Sequence, residues 1–488
     1  MAVIKRGSVK KNYIFNLFYQ IVILVVPLVT MPYVSRILGA EGVGAYSYAY
    51  SLNQYFVLFA TFGFNYYAQR EIAKHQDDNI LQVKVFLEIL VLRFLFVAIA
   101  IVINVGLLFA GTFGNYTMLM WILTGNIVSV AIDITYFFQG NEDFASIVIR
   151  NTLVKVVGVV LIFVFINTAD DLILYAIILT TTQIGGNLIM WFKIPPFLKR
   201  RDKAYNLDIK RHLKPSLRLF VPALATTIYL MLDKTLIGVI TGSDSQVGFY
   251  ENAEKISKVC LMVLTALGTV MLPKMANLFA KEDHETINEN IYKSFTFVYF
   301  LGFPILFGLI ATAGNLIPWF LGEEFEPSIQ LLMLLSVLII PIGMSNVLGV
   351  QYFIPTGRDK HFTISLLSGA TVNLVLNVVL IFSLGAVGAA IASIVAESTV
   401  TGVQLFFARK VFSVKKILLM SIKYLILGAI MFIGVFFTAR VLDPSPLNTG
   451  ILIIEGVGIY FIELLVVKDK YVFSLFAKIF HRKENINE

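Results

Sequence analysis

Four charged residues, Glu251, Glu254, Lys255 and Lys258, crowd into two turns directly ahead of the apolar run Val259 to Leu272. Their i, i+3, i+4, i+7 spacing puts them on one face of a helix, where Glu251 pairs with Lys255 and Glu254 with Lys258. Such pairing lowers the cost of holding charge inside a bilayer; at the membrane rim the same pairs would be merely solvated. A second charged stretch, "YLMLDKTLIG", carries Asp233 and Lys234. Adjacent residues point in different directions on a helix, so these two need not pair. Asp133 and Glu397 read as the lone intramembrane carboxylates. With Asp233 they are candidates to carry H⁺ or Na⁺, against the plainer reading of structural carboxyls. Nothing points to bond-making chemistry: there is no G-x-x-x-x-G-K-[ST] phosphate loop, and His75, His212, His284, His361 and His481 are scattered without metal-ligand spacing. Cys260, the only cysteine, reads as a small apolar packing residue.

The elements that must position these residues are helices in a membrane. Hydrophobic residues make up 58% of the chain, charged ones 14%, and mean hydropathy is +0.81. An ordinary soluble domain is roughly 25% charged. Fourteen apolar segments are long enough to span: 13–35, 45–69, 85–110, 115–138, 145–166, 171–192, 219–241, 248–280, 291–312, 327–353, 362–383, 385–408, 417–439 and 448–467. The expected fold is an all-α polytopic membrane protein. With the amino terminus in the cytoplasm, the alternation places 29 Lys and Arg inside and only Arg36 and Arg440 in outer loops, so both termini are cytoplasmic. The basic first residues precede a long run without a small-residue cleavage site, which reads as a retained span. The net charge of +8 is therefore membrane topology and not a nucleic-acid signal. The basic stretch from Lys193 to Arg218 reads as an anchor that touches anionic head groups. The outer loops are too short for an external enzyme. Pro27, Pro32, Pro222, Pro304 and Pro341 fall in or near spans and read as kinks.

The chain repeats itself. "ILGAEGVGAYSYA" at 37–49 resembles "ITGSDSQVGFYENA" at 240–253, and Tyr46 matches Tyr250 at an offset of 204. "YFFQGNEDF" at 136–144 resembles "YFIPTGRDKHF" at 352–362, each leading to "VVLIF". Six spans is an even number, so the two copies run the same way through the membrane, a common transporter plan. The expected organisation is a lobe at 1–192, a cytoplasmic linker at 193–218, a pseudo-twofold-related six-helix lobe at 219–408, and two further helices with a tail at 409–488. Ser47, Tyr50, Ser51 and Gln54 of the second span match the charged positions of the eighth.

With the repeats placed, the chain resembles the O-antigen and capsule repeat-unit flippases, the bacterial polysaccharide-biosynthesis branch of the multidrug/oligosaccharidyl-lipid/polysaccharide (MOP) exporter superfamily. The resemblance is carried by "PLVTMPYVSRILGAEGVGAYSYAYSL" (27–52), "ITGSDSQVGFYENAEKI" (240–256), "LPKMANLFA" (272–280) and "LGAVGAAIASIVAE" (384–397). It implies a cavity lined by the first, second, seventh and eighth spans, alternating access, and a polyprenyl-pyrophosphate-linked oligosaccharide as cargo in the cytoplasmic membrane. A charged head group needs a wet, cationic groove. Lys234, Lys255 and Lys258 are then the expected phosphate contacts, with Glu251 and Glu254 as their counter-charges. Arg36 is a peripheral candidate, and Ser47, Tyr50, Ser51 and Gln54 offer a sugar-facing surface. Other polysaccharide assembly proteins are possible partners. The alternatives are a lipid II flippase, a multidrug cation exporter, which calls for a net acidic cavity, a polymerase or ligase, which calls for a large outer loop, and a scaffold, which leaves the intramembrane charges without purpose.

Overall fold

The computed structural model of the protein describes residues 9–194 and 206–474. Residues 1–8, 195–205 of the basic linker and 475–488 of the tail lie outside the described residues. Those described form helices and no strands. In chain order the helices are α1 Val9–Thr61, α2 Phe64–Lys74, α3 Asn79–Phe109, α4 Thr117–Ile132, α5 Thr135–Gly140, α6 Phe144–Phe165, α7 Leu172–Phe192 and α8 Leu213–Thr241. There follow α9 Asp244–Ala280, α10 His284–Leu321, α11 Pro327–Ser336, α12 Ile339–Leu348, α13 Asp359–Leu384, α14 Ala386–Ala408, α15 Val414–Val441 and α16 Pro446–Val466. By length and composition eleven helical segments among the described residues can cross a bilayer, or twelve if the bent pair Ile209–Val221 and Thr226–Thr241 is one span. That is short of the fourteen expected; the first expected span and most of the second fall within α1.

The departures from the expected boundaries have local causes. The first two spans are joined without a loop, because Gly39 turns the chain at φ 67° and ψ −179°, a conformation open to glycine. The expected span 45–69 ends early, at Thr61. Phe62 (φ 41°) and Gly63 (φ 71°) turn the chain there, and α2 runs on as a separate short helix. A Cβ on Gly63 would lie 2.5 Å from the Ser216 carbonyl, so this turn is also where α8 packs on α1 and α2. The expected span 115–138 breaks at Asp133 and Ile134, and 327–353 breaks after Ser336 and ends in a π-turn. The apolar runs continue through both breaks, which is why hydropathy does not reveal them. The segments Ile209–Val221 and Thr226–Thr241 are bent by 53° to one another.

The chain divides into two compact units, Met1–Gly248 and Phe249–Glu488. In the first, α1 packs on α3, α4, α6 and α8. Arg93 is fully buried there. Its guanidinium donates to the Asp133 carbonyl and to Asn65 Oδ1, satisfying the broken end of α4. Arg150 donates to Asn187 Oδ1 at 2.9 Å and to Thr135 at 2.6 Å across the same break. The second unit packs α10 against α12, α15 and α16, and α13 against α14, over a core that includes Phe295, Tyr299, Tyr352 and Phe412.

Candidate functional site

The charged stretch that opens α9 folds as its spacing demands. Lys255 Nζ lies 2.9 Å from Glu251 Oε1, and Lys258 Nζ lies 2.7 Å from Glu254 Oε1. Each glutamate precedes its lysine by four residues, the favourable order on a helix. The two ends of the pairs differ in exposure. The carboxylate side chains are 10% and 13% exposed, the lysines 42% and 45%. The acids are thus the more buried ends of the pairs and the lysine side chains the more exposed ends. Behind them Ser257 donates to the Leu335 carbonyl at 3.0 Å, and Ser328 to the Phe249 carbonyl at 3.0 Å, which pins this stretch of α9 to α11.

Apart from Asp133, the candidates of the first unit sit on α1 and α8. Asp233 and Lys234 are both buried at 8% exposure. Beside them Thr235 Oγ1 is 2.9 Å from Ser51 Oγ and 3.1 Å from Tyr55 Oη. Ser51 is fully buried and also donates to the Tyr48 carbonyl at 2.7 Å, so its hydroxyl joins α1 to α8. Ser47 is buried, Tyr50 and Gln54 are half-buried, and Arg36 is exposed. Tyr46 stacks on Tyr50 at 5.8 Å and meets Tyr175 edge-on at 5.0 Å. Gly238 lets α8 approach the Tyr48 ring, and a Cβ there would lie 2.2 Å from it. The first turn of α9 also touches α1. A Cβ on Gly44 would fall 1.7 Å from the Asp244 carbonyl, and one on Gly248 would fall 2.1 Å from the Ala40 carbonyl. Gly44 and Gly248 occupy matching places in the two repeated stretches, so the repeat brings its own equivalents together.

Asp133 and Glu397 are not the lone carboxylates within the spans. Asp133 sits in the break between α4 and α5, where its Oδ1 accepts the Thr135 amide at 2.9 Å. Glu397 is half-buried within α14. Glu88 of α3 is fully buried and accepts from the Asp208 amide at 2.7 Å, from Arg211, and from His212 Nε2 at 2.8 Å. His212 Nδ1 meets the Tyr67 hydroxyl at 2.8 Å, so this histidine clamps the start of α8. In α16, Glu455 accepts from Thr438 at 2.8 Å, and both carboxylate oxygens of Glu463 are buried without a hydrogen-bond partner among the described residues. Both lie in the expected span 448–467 and were legible as charges in an apolar run. Lys274 of α9 donates to Asn290 at 2.8 Å. No group of three or more His, Cys, Asp and Glu among the described residues could hold a metal ion.

Residues 9–279 match the family model described as "Polysaccharide biosynthesis protein". A protein of Escherichia coli (strain K12) named "Putative O-antigen transporter" is 23% identical over 404 residues, 82% of this chain and 97% of that one. A Shigella dysenteriae protein of the same name is 24% identical over 397 residues, 80% of this chain and 97% of the other. Among solved structures, "Lipid II flippase MurJ, inward closed conformation" matches with a TM-score of 0.63 at 15% identity, over 91% of this chain and 99% of that one. An inward-facing multidrug resistance MATE family transporter of the MOP superfamily matches with a TM-score of 0.62 at 13% identity, over 81% and 98%. What is shared with these structures is the fold.

Proposed function

Because this chain belongs to the polysaccharide biosynthesis protein family, we propose that it is a flippase that carries a polyprenyl-pyrophosphate-linked oligosaccharide from the inner to the outer leaflet of the cytoplasmic membrane by alternating access. The observation that carries this reading is the polarity of the α9 ladder, whose glutamates are the more buried ends and whose lysines are the more exposed ends. An ammonium group facing hydrocarbon is strongly disfavoured, so an open pair within a span belongs to a watered path. A cation exporter would need the reverse polarity. The names of the relatives in Escherichia coli and Shigella dysenteriae support a polysaccharide precursor as cargo. Lys255 and Lys258 contact the pyrophosphate, with Lys234 as a further contact. The lysine-rich face is cytoplasmic, and both termini lie on it. The interior-negative potential favours outward movement of the anion. Two charges crossing fully gain about 4.6 kcal/mol per 100 mV. Where an ion adds to this drive, Asp133, Asp233 and Glu397 are the candidates to carry H⁺ or Na⁺.

Depletion of the protein in its native cell tests the reading. The expected result is accumulation of a lipid-linked oligosaccharide in the inner leaflet. Accumulation of a peptidoglycan precursor would assign the protein to lipid II instead, and unchanged lipid-linked pools would sink both.

A further inference from the structure

The lysine-rich end of α15 and α16 holds a recess of about 870 Å³ that is remote in sequence from the α9 ladder. Lys415, Lys416 and Lys423 of α15 and Lys468 and Lys470 from the turn after α16 line it, with one carboxylate, Asp469. That carboxylate is occupied. It is 2% exposed, paired with Lys423, and bonded by the Tyr424 hydroxyl at 3.0 Å and the Val472 amide at 2.9 Å. Among the described residues, Lys415, Lys416, Lys468 and Lys470 have no carboxylate within ion-pair distance, although Lys416 lies 4.0 Å over the Tyr292 ring.

Two local preferences are broken to gather these charges. Lys415 and Lys416 occupy the first turn of α15, where the unpaired amides already concentrate positive potential and acidic residues are favoured. Lys468 has φ 51°, a conformation that favours glycine. It ends α16 with the Asp469 amide bonded back to the Leu464 carbonyl at 2.9 Å, which turns the chain over the recess. Departures from local preference that converge on one place are expected where a ligand supplies the missing term. The flanking surface shows what kind of ligand. Leu418, Leu419 and Ile422 on α15 and Val466 and Val467 beside α16 are all exposed directly next to the lysines. Apolar surface topped by unneutralised ammonium groups matches a molecule with a phosphate head and a hydrocarbon tail.

We propose that this recess binds the phosphate head group of an anionic membrane lipid. Lys415, Lys416, Lys468 and Lys470 contact the phosphate oxygens. The Lys423–Asp469 pair is a positioning element that holds the turn in place. The site is independent of the identity of the transported cargo, so failure of the flippase reading leaves it standing.

The full-length protein in nanodiscs provides the test, with native mass spectrometry reporting retained lipid. The discs contain phosphatidylcholine alone, with added phosphatidylglycerol, or with added polyprenyl phosphate; inorganic phosphate is titrated into the first. The expected result is retention of a phosphate-headed anionic lipid, with the second and third arms showing which one. Neutralising the four lysines to glutamine should weaken retention by at least about tenfold. Neutralising Lys281, Lys293 and Lys360 should leave it unchanged. Lys468→Gly removes a charge while relaxing the turn, so it reports on binding without threatening the fold. Equal retention by the fourfold variant, an equal loss in the control variant, or full occupancy by inorganic phosphate without lipid would each overturn the proposal.

Discussion

Asp469 lies just beyond the end of α16, and burial alone would raise its carboxyl's affinity for a proton. The bonds from Lys423, the Val472 amide and Tyr424 outweigh burial and hold the group below the usual carboxylate range. A carboxyl lowered on folding contributes stability that is complete above its unfolded value and is lost as pH falls through the folded one. Thermal melts of the detergent-purified protein should therefore decline on the acid side, below about pH 4. Asp469→Asn should remove much of that decline while lowering the melting temperature at neutral pH. An unchanged acid limb in the variant would show that the pair adds nothing. At this scale the sequence was informative where spacing is local. The i, i+4 pairs at Glu251 and Glu254 form as read. Partnerships across the chain, such as Glu88 with His212, were not legible, because they depend on where a distant linker lands.

Between helices, glycine decides how closely backbones cross. Gly44 and Gly248 leave no room for a Cβ, since each would meet a carbonyl oxygen of the opposing backbone and not a flexible side chain. Gly44→Ala should destabilise the first unit by about 1–3 kcal/mol, the usual range for overpacking, read as a lower melting temperature. Gly185→Ala, in α7 with open space around it, should be nearly neutral. Equal effects would show that the α1–α9 crossing is loosely packed. The repeated motif containing both glycines was visible in the sequence, but their mutual contact was not. Periodicity also missed the turn at Gly39 and the break at Asp133, because a hydropathy pattern does not register a single residue of unusual φ or a polar residue tucked against its own backbone.

For the molecule as a whole, composition and the distribution of Lys and Arg were enough to read an all-α membrane protein. The family match over residues 9–279 takes in the stretches 27–52 and 240–256 and nearly all of 272–280, while 384–397 lies beyond it. The charges on α9 were legible as a candidate site because a bilayer makes every intramembrane charge conspicuous. The lysine recess at α15 and α16 was not, since each of its lysines taken singly reads as a topology signal. The most direct test of the transport account follows a tail-labelled polyprenyl-pyrophosphate oligosaccharide in vesicles containing the protein, with a leaflet-specific reagent reporting its side. The account predicts movement that quickens when a membrane potential favours the anion's passage, and that slows at least about tenfold in Lys255→Gln/Lys258→Gln at equal protein levels. Movement at the normal rate in that variant, indifferent to the potential, would contradict it.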